Sequence, residues 1–165
     1  VAKVRIEAPV KGESHRKTAT PRTYSRARLS LTLLIKAAQA SANWTGQKWD
    51  KHIKVPMTTL ERLIERYGQP DFVKIDVEGY EAEALAGLST PISTLSFEFT
   101  TIQRGIAYDC LGHLENLGRF EFNLSLGEDH ALRHNNWISG RDINHEIQNL
   151  PESANSGDIY ARRLD

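Results

Sequence analysis

The chain has 165 residues, a length typical of one domain, with or without a tail. Its 21 basic and 21 acidic side chains cancel, which argues against a general nucleic-acid binder, because such proteins are usually basic overall. Hydrophobic residues, 39% of the chain, can form a core, yet no apolar run approaches the ~20 residues of a membrane-spanning helix. We therefore predict a folded chain with no nucleic-acid or membrane partner.

Cysteine usage and the first residues bear on the location of the protein. Cys110 is the only cysteine, so the chain can form neither an internal disulfide nor a cysteine-based metal cluster. Residues 1–30 lack the apolar segment of a secretory signal. Together these features predict a cytoplasmic, reducing location.

Charge is distributed unevenly along the chain. Residues 1–30 carry eight basic and two acidic side chains, a net charge of +6, which leaves 13 basic and 19 acidic ones, a net charge of −6, for the rest. From Lys11 to Arg28 the sequence has almost no apolar residue and no period, which is typical of a loop or of disorder. We predict a basic, poorly structured arm over 1–28. A solvated segment is favoured over a patch for nucleic acid or anionic membrane, because Tyr24 is the only aromatic residue among the charges and the arm has no stacking platform.

Residues 29–67 contain two predicted helices. The first is apolar and alanine-rich, without proline or glycine. The second follows a capping-box pattern, Thr58 with Glu61, and repeats its apolar residues at helical spacing until Gly68. In chain order, we predict a helix over 29–42, a loop over 43–50, a short strand over 53–55 and a helix over 58–67.

From residue 72 onward, strands and helices alternate. Residues 72–77, FVKIDV, form a nearly continuous apolar run between turn residues, which indicates a strand buried on both faces, as in a parallel sheet. Residues 120–126 alternate instead, as in a half-buried strand. The predicted strands are 72–77, 95–99, 120–126 and 158–162, and the predicted helices are 81–88, 106–117 and 139–150. This order predicts an open α/β sheet in which 72–77 and 95–99 are parallel neighbours.

Carboxylates lie where the first buried strands end. In an open α/β sheet, ligands bind outside the carboxyl ends of the strands. Asp76 and Glu78 share a face in extended geometry, Gly79 permits a sharp turn or the close approach of a ligand, and Glu98 lies at the equivalent depth of the next strand. Such carboxylates can orient a hydroxyl group, accept its proton or hold a hard cation such as Mg²⁺. Equally, Asp76 can cap the next helix and Glu78 can be solvated.

Motifs typical of other sites are missing from the sequence. None of the six histidines has HExxH spacing, and His130 and His134, at i, i+4, lie in a loop-like context. GxSxG, GxxxxGK(S/T) and GxGxxG do not occur. We therefore predict no metal site.

Residues 55–99 carry the most specific pattern of the chain. They read VPMTTLERLIERYGQPDFVKIDVEGYEAEALAGLSTPISTLSFEF. PDFVKIDVEGYE, followed by a helix ending in AGL and by LSFEF, resembles the central block of the FkbM-type S-adenosylmethionine-dependent methyltransferases. NWTGQKWD before this block, and FNLSLGE, Trp137 and SGDIYAR after it, are similar to the same family, so the resemblance covers roughly residues 29–165.

The resemblance implies a Rossmann-like methyltransferase fold of seven strands. Strands four and five would be 72–77 and 95–99, and the closing pair, one of them antiparallel, would be 120–126 and 158–162. It implies methyl transfer from S-adenosylmethionine to a hydroxyl of a small molecule such as a sugar or a polyketide. It also implies three catalytic carboxylates, with Asp76 and Gly79 at the cofactor and with Glu78 and Glu98 facing the acceptor. The alternative is a non-catalytic α/β module that binds a partner.

The first half of that fold has no counterpart in the sequence. The glycine-rich loop after strand one and the acidic residue after strand two do not occur. We therefore predict a partial, mostly parallel sheet with one antiparallel closing strand over 29–165, and weak or no binding of S-adenosylmethionine by this chain. Strand 72–77 would then have an open edge. Three outcomes are open: residues 4–10 fold back over that edge, which we favour, a second chain pairs there, or the chain is poorly soluble.

Overall fold

The computed structural model describes the backbone of residues 3–7 and the backbone and side chains of residues 58–129 and 131–165. The predicted helix over 29–42, the loop over 43–50 and the strand over 53–55 lie outside these described residues. Within them, no helix is both long and apolar enough to cross a membrane.

The described residues form an α/β fold of five strands and four α-helices. These are, in chain order, β1 (Lys3–Glu7), α1 (Leu60–Tyr67), β2 (Phe72–Asp76), α2 (Glu81–Leu85), β3 (Thr94–Thr100), α3 (Arg104–Leu117), β4 (Phe120–Leu126), α4 (Gly140–Asn149) and β5 (Ser156–Arg163). Each helix and strand predicted from residue 58 onward is present, and its ends differ from the prediction by three residues or fewer.

The start of α1 differs from the predicted capping box. Thr59, not Thr58, is the N-cap, and its side chain accepts a hydrogen bond from the Arg62 N–H. Glu61 accepts instead from the Ser89 N–H at 2.9 Å, and that hydrogen bond lowers the pKa of the Glu61 carboxyl. Glu61 therefore ties α1 to the loop before β3 rather than closing its own helix.

The strands form one mixed sheet in the order β1-β2-β3-β5-β4. β2 and β3 are parallel neighbours, which confirms the predicted pair and places β2 inside the sheet. β5 lies between β3 and β4 and runs antiparallel to both. The prediction of a mostly parallel sheet is therefore wrong: β2–β3 is the one parallel pair among the described strands, because β5 separates β3 from β4.

The edge of β2 that was expected to be open is paired with β1. The two strands are antiparallel, with Lys3 opposite Asp76 and Glu7 opposite Phe72. Of the three outcomes considered for this edge, the first is observed. Five residues of extended backbone satisfy the N–H and C=O groups of β2 whatever side chains they carry. The rest of the predicted basic arm lies outside the described residues.

One face of the sheet carries the hydrophobic core. Side chains alternate along each strand, so the buried apolar residues of neighbouring strands point to the same side and pack against α2, α3 and α4. Large buried side chains of this core are Ile75, Phe97, Phe122, Leu124 and Ile159 from the strands and Leu85, Leu111, Leu114, Ile143 and Ile147 from the helices.

The opposite face of the sheet is polar. It carries Lys74, Asp76, Ser96, Glu98, Asn123, Ser125, Asp158 and Tyr160. In β2 the buried residues Val73 and Ile75 therefore alternate with half-buried Lys74 and Asp76, and the prediction of a strand buried on both faces is wrong. The apolar run is nearly continuous in sequence only because Phe72 and Val77 extend it at its two ends, where both side chains are half-buried.

The outer strand β4 was predicted to be half-buried, but most of its residues are buried on both faces. The chain around residues 133–138 folds back along it, and Phe122 and Ile138 exchange two backbone hydrogen bonds of 2.8 Å. The buried Asn123 side chain donates to the His134 carbonyl oxygen and accepts from the His134 N–H. This amide thus continues the strand pairing, which explains why a polar residue of β4 is buried.

Gly157→Ala is expected to lower the free energy of unfolding by at least ~3 kcal/mol. A Cβ at Gly157 would overlap the carbonyl oxygen of Ser125 and lie 3.0 Å from the Phe99 ring, and a strand backbone cannot move aside cheaply. Urea unfolding measures the loss. Gly112→Ala in α3 is the matched control, because its Cβ meets no atom within 4 Å and alanine should stabilise the helix by up to ~1 kcal/mol. Equal stabilities of the two variants would contradict the overlap.

Candidate functional site

The three carboxylates indicated by the sequence meet where β2 and β3 end. Asp76 is the last residue of β2, Glu78 lies in the turn that follows, and Glu98 is on β3. One carboxylate oxygen of each lies within 4.8 Å of the others. Carboxylate oxygens bind hard cations and accept hydrogen bonds, so this acidic cluster can hold a hard cation, a cationic group or hydroxyl groups of a ligand. The structure thus brings these residues together, and their chemical roles stay predictions.

A sharp turn, rather than an extended strand, brings Glu78 beside Asp76. The backbone φ angle is +55° at Glu78 and +91° at Gly79, so two consecutive residues are left-handed. Glycine adopts this conformation freely, whereas for a glutamate it costs roughly 1–2 kcal/mol. The expectation that Asp76 and Glu78 share a face of one strand is therefore wrong in its geometry, although the two side chains do meet.

The alternative structural role considered for Asp76 is not observed. The N-cap of α2 is Tyr80, four residues after Asp76. Glu78 is exposed, as that alternative expected, while Asp76 is half-buried. Asp76 therefore lies at the carboxyl edge of the sheet without capping the helix that follows.

Glu81 is a member of this site that sequence reasoning missed. Its side chain is buried, and Oε1 accepts hydrogen bonds from the Val77 and Gly79 N–H groups, each at 3.1 Å. Burial raises the pKa of the Glu81 carboxyl, hydrogen bonds from its own backbone N–H and from those of Gly79 and Val77 lower it, and the result is a raised pKa. One feature of the sequence could have pointed to Glu81: it is the second acidic residue of VEGYE, and it lies where a helix begins directly after a turn.

Glu98 has a strongly perturbed carboxyl. Burial, and next the negative charges of Asp76 and Glu78, raise the pKa of Glu98 to about 8. At neutral pH this carboxyl is mostly protonated and can donate a hydrogen bond. A group with a pKa near neutrality can also take up or release a proton during a reaction.

An ion pair crosses the polar face next to the cluster. The Lys74 Nζ reaches from β2 across β3 and lies 2.9 and 2.8 Å from the two carboxylate oxygens of Asp158 on β5. Burial lowers the pKa of Lys74, but its hydrogen bond to Asp158 and the charge of Asp158 outweigh burial, so the pKa is raised. Lys74 is therefore a firmly charged cation beside an acidic site.

A small cleft adjoins the acidic cluster. Its volume of about 20 Å³ admits one or two water molecules, far less than the roughly 300–1,000 Å³ of a typical ligand pocket. It is lined by Glu78, Gly79, Glu81, Glu98, Phe99, Thr100, Gln103 and Ile106. The cleft thus combines three carboxyl groups with a mixture of apolar residues, Phe99 and Ile106, and polar ones, Thr100 and Gln103.

Stability is expected to fall as the pH rises from about 4.5 to about 8. Over this window the folded state keeps the Glu98 proton that the unfolded chain has lost, so each added pH unit favours unfolding. Because solvent reaches the half-buried side chain, the total loss should be roughly 1–3 kcal/mol. Urea unfolding at pH 5 and pH 8 should show a smaller difference for Glu98→Gln than for the unchanged protein.

The exposed Glu65→Gln is the matched control for this pH dependence. It removes a carboxylate of α1, away from the acidic cluster, and should leave the difference between pH 5 and pH 8 intact. A Glu98→Gln variant with the full difference would assign the pH dependence to other groups.

Comparison with known proteins identifies a family. The family model described as the methyltransferase FkbM domain matches residues 5–124, which is 120 of the 165 residues. The match includes the whole acidic cluster, and it also includes residues 5–28, which the resemblance in sequence left outside. No curated protein and no solved structure matches the chain. Since the matched segment spans well over half of its length, the chain belongs to the FkbM methyltransferase family.

Proposed function

We propose that this protein is an S-adenosylmethionine-dependent O-methyltransferase that acts on a hydroxyl group of a small molecule such as a sugar or a polyketide. The observation that carries the proposal is the meeting of Asp76, Glu78 and Glu98 at the carboxyl ends of two parallel strands in a chain of the FkbM family. Ligands of open α/β sheets bind at this edge.

The order of the strands supports a Rossmann-like methyltransferase sheet. In the proposed assignment, β2 and β3 are strands four and five, and β4 and β5 are the closing pair. The antiparallel β5 between β3 and β4 agrees with a closing pair in which one strand is reversed. Under this assignment, the acidic cluster lies in the crevice where cofactor and acceptor would meet.

The donor side of the site is proposed at Asp76 and Gly79. S-adenosylmethionine supplies, when bound, a methyl group activated by a cationic sulfonium. The carboxylate of Asp76 suits this ligand, because it attracts positive charge and accepts hydrogen bonds from ammonium and ribose hydroxyl groups. Gly79, which has no side chain, allows a ligand to approach the backbone. The donor set therefore fits the cofactor, while the small cleft accounts for only part of its volume.

The acceptor side is proposed at Glu78 and Glu98. The exposed carboxylate of Glu78 can accept a hydrogen bond from the acceptor hydroxyl and orient its oxygen toward the methyl group. In its deprotonated form, Glu98 would take the proton that the acceptor hydroxyl loses onto a carboxylate oxygen. A base whose pKa is about 8 is well matched to this transfer near neutral pH.

Binding of tritiated S-adenosylmethionine, followed by transfer to a panel of polyols and polyketides, tests the proposal. We expect saturable binding that is weak, because the chain has no glycine-rich loop motif, and that is weakened further in Asp76→Asn. Asp71→Asn, an exposed aspartate outside the cluster, is the matched control. No binding at millimolar cofactor would favour the non-catalytic partner-binding module. Micromolar affinity would show that another segment of the chain provides the cofactor contacts that a glycine-rich loop usually makes.

A further inference from the structure

Glu81 is a buried carboxylate for which the proposed reaction has no direct use. Its side chain is 3% exposed, whereas Glu78, three residues earlier, is exposed. Glu81 lies in the first turn of α2, directly behind the turn that carries Glu78. A carboxylate is costly to bury, so its position calls for a specific set of partners.

The two hydrogen bonds of Glu81 lie on either side of Glu78. A single oxygen, Oε1, accepts from the N–H of Val77 before Glu78 and from the N–H of Gly79 after it. Hydrogen bonds to an ionised acceptor are stronger than those between neutral groups. Glu81 therefore binds the backbone on both sides of Glu78, the residue that is held in the left-handed conformation.

The conformation held in this way decides where the Glu78 carboxylate points. A glutamate released from a positive φ returns to a right-handed or extended backbone, which redirects its side chain. The position of the Glu78 carboxylate, within 4.8 Å of those of Asp76 and Glu98, depends on the turn and not on a regular strand. The acidic cluster is thus built from two strand residues and one residue held in place by a buried carboxylate.

We propose that Glu81 is a positioning residue of the acidic cluster: by fixing the turn at residues 77–79, its carboxylate holds Glu78 against Asp76 and Glu98. An effect of Glu81 on catalysis rests on the proposed function, because it requires the acidic cluster to be the site of methyl transfer. The positioning itself is a property of the fold and can be measured without a substrate.

Residue-resolved amide exchange by NMR tests the positioning. Glu81→Leu removes the acceptor, whereas Glu81→Gln keeps an acceptor oxygen of the same reach. We expect the Val77 and Gly79 amides to exchange at least 10-fold faster in Glu81→Leu, to stay protected in Glu81→Gln, and the amides of β2 and β3 to be unchanged in both. Protected Val77 and Gly79 amides in Glu81→Leu would overturn the proposal.

A second variant keeps the test decisive if Glu81→Leu does not fold. Glu81→Asp retains the charge but is one methylene shorter, so one oxygen cannot reach both amides. It should show the same local loss of protection. An Asp variant with both amides protected and with β3 amides exposed would also overturn the proposal, because the residue would then support the sheet and not the turn.

Methyl transfer separates the positioning from the proposed function. Glu81→Leu should lower kcat about as much as Glu78→Gln, Glu81→Gln should restore most of it, and the double variant Glu78→Gln/Glu81→Leu should be no slower than Glu78→Gln alone. Additive losses would contradict an action through Glu78. If no variant and not even the unchanged protein transfers methyl groups, the exchange result still decides the positioning, and the proposed function alone fails.

Discussion

Asp76→Asn is expected to reduce methyl transfer by roughly 10²–10⁴-fold while leaving the fold intact. The variant keeps the shape of the side chain and removes the charge that, in the proposed function, would face the methyl donor. Asp76 is half-buried at the end of β2, where its charge attracts Lys74 and opposes the ionisation of Glu98, so its effects on stability partly offset each other. Removing its charge should therefore affect the chemistry of the site more than the stability of the sheet.

Initial rates with a tritiated methyl donor, measured beside urea unfolding, check this expectation. Asp71→Asn, on an exposed residue just before β2, should keep both the rate and the stability of the unchanged protein. A variant Asp76→Asn that unfolds readily but retains its specific activity would show that Asp76 has a structural role.

Lys74→Met is expected to lower the free energy of unfolding by about 2–4 kcal/mol. Methionine retains much of the aliphatic stem but removes the ammonium that bonds both oxygens of Asp158. Asp158 is 5% exposed, so its carboxylate stays buried without a counter-ion. The cost should lie somewhat below that of a fully buried pair, because the Lys74 side chain is 33% exposed. Urea unfolding near pH 7 measures it.

The double variant Lys74→Met/Asp158→Asn is the control for this ion pair. Removing both charges leaves no unpaired carboxylate, so the double variant should recover at least half of the stability lost in Lys74→Met. If the double variant is no more stable than the single one, the loss comes from packing of the lysine stem and not from an uncompensated charge.

The β2–α2–β3 unit could be predicted from the sequence because its signals are local. A short apolar run, a glycine, a helical segment and a second apolar run together require a parallel pair with a crossover. The position of β5 between β3 and β4 could not be predicted in this way. It depends on pairing between Thr94–Thr100, Phe120–Leu126 and Ser156–Arg163, which are far apart in sequence, and apolar alternation does not encode strand order.

The acidic cluster could be predicted only in part. Asp76 and Glu98 follow from the rule that parallel neighbours end at the same edge of a sheet. Glu81 does not follow, because an acidic residue in the first turn of a helix is usually exposed and interacts with the helix dipole. Its burial arises from the two positive φ angles before it, which fold the backbone of residues 77–79 onto its carboxylate.

Five residues near the start of the chain decide whether β2 lies inside the sheet or at its edge. β1 pairs with β2 across more than sixty intervening residues, so closing that loop costs more entropy than closing the short connection between β2 and β3. β1 is therefore expected to be the strand that detaches first, and its loss would expose the backbone groups of an apolar strand to other chains.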